Sequence, residues 1–240
     1  MKTVAVILAR GGSKGVPNKN IRNLCGHTLL EWSIQACKQC NLIDEIYVST
    51  DSKEYREMSI NYGAKAPFLR PENISSDLST DYEFFIHALD WFKNNLKEPE
   101  YIAHIRPTTP LRNPKLIDKA IDTFVKSKKG TALRSVHEMS ESAYKNFEIA
   151  EKGNLQTIFS KNSDLDESNN ARQSFPKTYI ANGYIDVISS TYLRKNNLLH
   201  GNYVLPFVTP ISFEIDEEAD FDLLEYKINK NPALKELIFN

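Results

Sequence analysis

The chain has 240 residues, 41% hydrophobic and 25% charged, which is enough for one domain with a substantial core. Thirty basic residues against 31 acidic ones leave no broad cationic field, so no nucleic-acid partner is expected. No apolar run nears the roughly 20 residues that span a bilayer, and the first apolar stretch is too short and too early for a signal peptide. The expected setting is the cytoplasm, without a membrane partner.

Val4 to Leu8 is apolar and rich in β-branched residues, as in a strand buried on both faces near the centre of a parallel sheet. A loop with Gly11, Gly12 and Gly15 follows at once, carrying Arg10, Lys14 and Lys19. Glycines let backbone N–H groups turn toward an anion, and a strand ending in such a loop is where open α/β sheets bind ligands. The loop has neither G-x-x-x-x-G-K-[ST] nor G-x-G-x-x-G spacing, so on local grounds it reads either as a phosphate cradle or as a solvated turn.

The spacing predicts a helix over Leu29 to Cys40 and a strand from Ile43 to Thr50, ending in Ser49-Thr50-Asp51. A helix from Ser52 to Tyr62 stops near Gly63, and a short strand, Ala66 to Leu69, leads into Arg70-Pro71-Glu72. Thr80 to Asn94 is an amphipathic helix with Phe84, Phe85, Ala88, Leu89 and Phe92 on one side; Ser79 reads as its N-cap. A strand from Tyr101 to Ile105 precedes Arg106-Pro107-Thr108-Thr109-Pro110-Leu111-Arg112. A helix from Leu116 to Phe124 and a strand from Thr131 to Val136 come next. This alternation gives βαβ units and a mainly parallel sheet flanked by helices.

From about Glu138 to Tyr179 Asn, Ser, Asp and Glu accumulate, as in Ser163-Asp164-Leu165-Asp166-Glu167. A segment this long reads as an arm, residues 138–180, inserted into a single domain of residues 1–240. Its scattered Tyr144, Phe147, Phe159, Phe175 and Tyr179 suit an interface. Strands are expected at Gly183 to Ile188 and Phe213 to Asp216, and Glu218 to Lys230 is expected as the closing helix. Strand alternation would point Glu214 and Asp216 to one face. Two such acids suit Mg²⁺ beside phosphate oxygens; the blander reading is an acidic surface strand. Cys37 and Cys40 form C-x-x-C on a helix with no second pair, and with Cys25 they are odd in number, so neither a metal nor a redox role is expected.

Leu8-Ala9-Arg10-Gly11-Gly12-Ser13-Lys14-Gly15-Val16-Pro17-Asn18-Lys19-Asn20-Ile21, with Leu24-Cys25-Gly26-His27-Thr28-Leu29-Leu30, resembles the signature of the acylneuraminate cytidylyltransferase family. These are the CMP-sialic acid synthetases and their bacterial relatives. Ser49-Thr50-Asp51, Arg70-Pro71-Glu72 with Ser76-Asp77 and Ser79-Thr80-Asp81, and the Arg106 to Arg112 stretch resemble further family segments. The resemblance implies a Rossmann-like nucleotide-diphosphosugar transferase fold. It implies CTP held by Ala9, Arg10, Gly11, Gly12, Ser13, Lys14 and Lys19, with Asn20 near the nucleoside and Arg70, Ser79 and Asp81 around the cytosine and ribose. The acceptor set it implies is Arg106, Thr108, Thr109, Arg172 and Asn182. Arg106 stands where the family usually has Gln, and Ile180 where it has Arg before Asn182-Gly183.

The implied reaction transfers CMP from CTP to the anomeric hydroxyl of a nonulosonic sugar acid and releases pyrophosphate. Arg10, Lys19 and Asp216 would be catalytic, and Glu214 and Asp216 would hold Mg²⁺. The family further implies a homodimer whose arm brings Arg172 to the partner's acceptor pocket. A carboxylated acceptor is expected to give Arg106 and Arg172, otherwise unpaired, an anionic partner. The departures at Arg106 and Ile180 leave open another sugar or a phosphorylated small molecule as acceptor; a catalytically silent nucleotide-binding regulatory protein is the third reading. None of the scattered histidines is placed as a base, and His104 is expected to be structural.

Overall fold

The computed structural model describes residues 1–13, 15–76, 78–127, 129–161 and 165–239; Lys14, Asp77 and the Ser163-Asp164 pair lie outside the described residues. In chain order the elements begin with β1 (Thr3–Leu8), a small hairpin of β2 (Asn23–Leu24) and β3 (His27–Thr28), and α1 (Leu29–Lys38). Then come β4 (Glu45–Ser49), α2 (Lys53–Asn61), α3 (Asp81–Asn95), β5 (Tyr101–Ile105), α4 (Pro114–Lys126) and β6 (Ala132–Glu138). The polar excursion carries a hairpin of β7 (Phe147–Ile149) and β8 (Leu155–Thr157). The chain returns through β9 (Tyr179–Ser189) and ends with α5 (Ser190–Asn196), β10 (Val204–Val208), α6 (Glu218–Lys230) and α7 (Ala233–Phe239).

Six strands form the central sheet in the order β10-β6-β9-β5-β1-β4. β1 runs parallel to β4 and β5, and β10 parallel to β6; β9 alone runs antiparallel, to both β5 and β6. β1 is buried on both faces because its alternate side chains enter two different cores. Val4 and Val6 pack with Phe85, Ala88, Leu89 and Phe92 of α3, whereas Ala5 and Ile7 pack with α1 and α4. No helix among the described residues is long and apolar enough to cross a membrane. Burial pushes the Cys37 thiol up to about 12 and raises that of Cys40 as well, so both stay protonated and weakly nucleophilic at neutral pH.

Several elements differ from expectation for local reasons. Ala66 to Leu69 forms no strand: pairing stops at a single bridge between Tyr47 and Lys65, and Pro67 brings no N–H to extend it. Phe213 to Asp216 is extended but joins no sheet; its one backbone bond to the neighbouring loop runs from Ile215 N to Thr108 O, 2.8 Å. Thr80, not Ser79, caps α3, through a reciprocal capping box with Glu83. α5, β10 and α7 add to the expected elements, so α6 is not the last helix. Pro206 disguises β10 in the sequence, yet it is tolerated there because β10 is an edge strand.

Arg112 joins two of these pieces. Its side chain is 1% exposed. Nε donates to Tyr184 O at 2.7 Å, and Nη2 donates to Arg106 O at 2.6 Å and Gly183 O at 2.8 Å. Nη1 donates to Thr109 O and, at 3.4 Å, to Ser33 Oγ. The guanidinium thus staples the loop after β5 to a bulged part of β9, where the register with β6 shifts between Arg134 and Val136. Gly183 sits there at φ +63°, and a Cβ on it would lie 2.9 Å from Thr109 Oγ1 and 3.3 Å from Arg106 Cδ.

Replacing Arg112 with Met keeps the stem but strands these buried carbonyls. The expected cost is about 3 kcal/mol or more in chemical denaturation; a loss below about 1 kcal/mol would contradict the staple.

Candidate functional site

A cavity of about 530 Å³ opens where β1 and β5 end, lined by Leu8 of β1 and by His104 and Arg106 at the end of β5. Successive strands are added on opposite sides of β1 at this point, the usual place for a ligand crevice in an open α/β sheet. Arg10, Ser13, Gly15, Lys19 and Asn20 reach it from the glycine loop, Arg70, Ser79 and Asp81 from the connection into α3, Arg106 and Thr108 from the loop after β5, and Glu214 and Asp216 from the last extended segment. Most of the site residues expected from the sequence therefore meet in one place.

The glycine loop is tied down at both ends. Ala9 is buried and its N donates to Ser49 O at 3.1 Å. Gly11 N donates to Asp51 Oδ1 at 2.9 Å, and Asn20 Nδ2 donates to Arg10 O at 3.0 Å. Gly12 is exposed and neither it nor Gly11 lines the cavity. Lys19 Nζ donates to Ile215 O at 2.7 Å and lies 3.3 Å from Asp216 Oδ1. Gly15 allows this docking: a Cβ there would sit 2.7 Å from Asp216 O.

Arg70 is the unusual cation. It is 3% exposed, lies 4.0 Å over the Phe84 ring and has Asp51 at 3.8 Å. Its Nε, Nη1 and Nη2 have no hydrogen-bond partner among the described residues. Burial lowers its pKa, against the opposing pull of Asp51. A buried guanidinium lining a cavity without acceptors is completed by a ligand that brings them. Among the described residues Ser79 hydrogen-bonds to Ser76, its Oγ to the Ser76 N–H and hydroxyl and its N to Ser76 O.

Arg106 and Arg172 do not stand unpaired, which corrects the expectation that an acceptor carboxylate must neutralise them. Arg106 Nη2 donates to Asp81 Oδ2 at 2.9 Å and lies 3.5 Å from Asp186 Oδ2. Arg172 lies outside the cavity on the polar excursion, donating to Glu138 Oε1 at 3.0 Å and Met139 O at 3.1 Å. Thr109 and Asn182 lie in the wall behind the cavity. Thr109 Oγ1 donates to Asn182 O at 3.4 Å; the Asn182 side chain donates to Thr209 Oγ1 at 2.7 Å and accepts from Tyr184 N at 3.3 Å. Sequence reasoning assigned no role to Asp51, Phe84 or Asp186. The signal for Asp186 is a lone acid inside the apolar run Tyr184-Ile185-Asp186-Val187-Ile188.

Glu214 and Asp216 both line the cavity although no strand aligns them, because buried Ile215 anchors the segment between them. Glu214 Oε1 accepts from Thr108 Oγ1 at 2.9 Å. No group of three or more His, Cys, Asp or Glu side chains suited to a metal occurs among the described residues. With Asp81, which is paired with Arg106, these two are the carboxylates that line the cavity among the described residues.

A cytidylyltransferase family model matches residues 4–200, most of the chain and all but the last segment of this site. The chain belongs to the cytidylyltransferase family. It is 30% identical over 236 residues to the CMP-N,N′-diacetyllegionaminic acid synthase of Legionella pneumophila, covering 96% of this chain and 98% of that protein. It is 26% identical over 237 residues to the pseudaminic acid cytidylyltransferase of Campylobacter jejuni, covering 97% and 100%. A solved CMP:2-keto-3-deoxy-manno-octonic acid synthetase complexed with CTP superposes with a TM-score of 0.70 over 96% of this chain and 99% of that one; at 14% identity the likeness concerns the fold.

The close approach of Gly15 to Asp216 sets where the glycine loop rests against the last extended segment. Gly15→Ala must lift the loop, and with it Lys19, by part of an ångström. CTP affinity by calorimetry is expected to fall about tenfold, since misplacement on that scale is costly, with the thermal midpoint little changed. Affinity within about twofold of wild type would remove the contact from the site's design.

Proposed function

We propose that this cytidylyltransferase transfers CMP from CTP to the anomeric hydroxyl of a nonulosonic sugar acid, releasing pyrophosphate. One observation carries the reading: a single cavity holds together the loop cations Arg10 and Lys19, Arg70 with its nitrogens free of hydrogen bonds among the described residues, and the carboxylates Glu214 and Asp216. Cations at one end suit a triphosphate, the unpaired donors of Arg70 suit a base edge, and carboxylates beside them suit a hydroxyl that must lose a proton. Relatives that match along nearly their whole length carry the names of legionaminic and pseudaminic acid enzymes, which supports a sugar acid of that kind as acceptor.

In this mechanism the acceptor oxygen attacks the α-phosphorus and the bond to the bridging oxygen of pyrophosphate breaks. Arg10 and Lys19 offset the charge that moves onto pyrophosphate; Lys14 joins them on the same reading. Asp216 takes the proton of the attacking hydroxyl. Lys19 now neutralises Asp216 at 3.3 Å and has to swing toward the phosphates for that carboxylate to act. Glu214 and Asp216 fit Mg²⁺, which favours one or two carboxylates with phosphate oxygens completing its shell. Bound there, it would neutralise phosphate charge and lower the pKa of the attacking hydroxyl.

The polar excursion supports a homodimer. Ile149 is 76% exposed, and Phe147, Leu155, Ile158 and Phe159 are also exposed around it, more apolar surface than a solvated hairpin needs. On this reading the arm docks on a second subunit and brings Arg172 toward that subunit's acceptor end. The enzyme works where CTP is made, in the cytoplasm, and needs neither a nucleic acid nor a membrane.

Pyrophosphate release with CTP, Mg²⁺ and a panel of acceptors tests the reading. The panel holds N-acetylneuraminic, legionaminic, pseudaminic and 2-keto-3-deoxy-manno-octonic acids and a set of sugar phosphates. Release is expected with at least one nine-carbon acid. Lys19→Ala should reduce it by at least about a hundredfold with an unchanged circular dichroism spectrum, and Asp216→Asn should abolish the Mg²⁺-dependent release while weakening CTP binding far less. Release with sugar phosphates alone, or none at all, would overturn the proposal.

A further inference from the structure

We propose that Asp186 is a positioning residue that sets how this enzyme meets its acceptor, by holding Arg106 in the cavity wall; the inference rests on the cytidylyltransferase reading. Asp186 does not touch the cavity itself. It is 4% exposed, in the middle of β9, and groups from the neighbouring elements converge on its carboxylate. His104 Nδ1 of β5 and His200 Nε2, from the connection between α5 and β10, each lie 3.6 Å from Oδ2. Arg134 Nε of β6 is 3.8 Å from Oδ1, and Arg106 Nη2 is 3.5 Å from Oδ2.

At 3.6 Å neither imidazole makes a full hydrogen bond. Burial lowers the His104 pKa, so that ring is neutral at pH 7. Burial alone would raise the Asp186 carboxyl, yet the surrounding His104, His200 and Arg106 hold it well below the usual carboxylate range. Asp186 is therefore a fixed negative charge, and two guanidiniums face it, those of Arg106 and Arg134. Arg134 is 40% exposed and is partly served by water. Arg106 is the cation that lines the cavity.

Arg106 is held from two sides. Asp81, at the start of α3, belongs to the nucleotide half of the cavity, and Asp186 belongs to the sheet beneath the acceptor half. The two pulls meet on one nitrogen, Nη2. Gly183, three residues before Asp186 on the same strand, clears space for the Arg106 stem. Without the Asp186 charge nothing opposes Asp81, and Arg106 turns toward the nucleotide half. Arg106 and Arg134 are matched by Asp81 and Asp186, so this end of the cavity is not a free cation waiting for a carboxylate. It offers Arg106 donors, at a set position, to uncharged oxygens of the acceptor such as hydroxyl or acyl carbonyl groups.

A double-mutant cycle separates positioning from packing. Asp186→Asn, Arg106→Gln and the double variant are assayed by pyrophosphate release with CTP and the panel acid that wild type uses best, with KM for each substrate read separately. Asp186→Asn is expected to raise the acceptor KM about tenfold, with the CTP KM within twofold, and to do almost nothing further in the Arg106→Gln background. If the Asn variant does not fold, Asp186→Glu, which keeps the charge, takes its place in the cycle with a smaller expected shift of the same kind. Equal factors in both backgrounds, or CTP and acceptor KM rising in step, would overturn the proposal. A wild type inactive on every panel acid would overturn both readings, whereas an active wild type with an unchanged acceptor KM in Asp186→Asn would overturn this one alone.

Discussion

The wall of the cavity formed by the loop after β5 depends on a buried cation that makes no ion pair with a carboxylate among the described residues. Arg112 is buried and spends its donors on the carbonyls of Arg106, Thr109, Gly183 and Tyr184 and on the Ser33 hydroxyl. Burial lowers its pKa to about 10, which still leaves it charged at neutral pH. Burying a guanidinium costs several kcal/mol unless each N–H is met, and here carbonyl dipoles from two non-adjacent segments meet them. The loop after β5 and the bulge of β9 are consequently joined through one side chain. Thr108 and the Arg106 side chain face the cavity, while the carbonyls of Arg106 and Thr109 face the other way, toward Arg112.

The opposite wall uses the same principle with less burial. Asp51 takes the Gly11 N–H and Asn20 takes the Arg10 carbonyl, so the glycine loop leaves β1 at a set angle. The contrast between the two buried arginines separates scaffold from site. Arg112 has every nitrogen hydrogen-bonded within the protein, while Arg70, almost equally hidden, has only the 3.8 Å ion pair with Asp51, no hydrogen bond among the described residues, and lies against the cavity. Unpaired buried donors are worth several kcal/mol when a ligand completes them, which is why Arg70 marks the binding end.

The alternating layers were legible because β-branched runs, amphipathic spacing and glycine or proline stops all act locally. The errors fall where a long-range contact overrides a local signal. Pro206 looks like a breaker but occupies an edge strand, and Phe213 to Asp216 looks like a strand but has only the Thr108 carbonyl to pair with. Ser79 and Thr80 are equivalent N-caps by residue type, and the placement of Glu83 three residues after Thr80 selects the second. Among the site residues, the loop cations and the two late acids were readable through the family resemblance. The pairing of Arg106 was not, because Asp186 lies 80 residues downstream and meets it only through the β5 and β9 pairing.

The central claim is that the cavity is built for a cytidine nucleotide, with Arg70 completed by the base. Cytosine presents the N3 and O2 acceptors that a guanidinium can serve, whereas uracil presents an N3–H donor that opposes it. Calorimetric titration of the wild type and of Arg70→Met with CTP and UTP measures this directly. The account predicts that the wild type binds CTP at least about tenfold more tightly than UTP and that Arg70→Met removes most of that preference. Equal affinity for the two nucleotides in the wild type, or an undiminished preference in the variant, would contradict it.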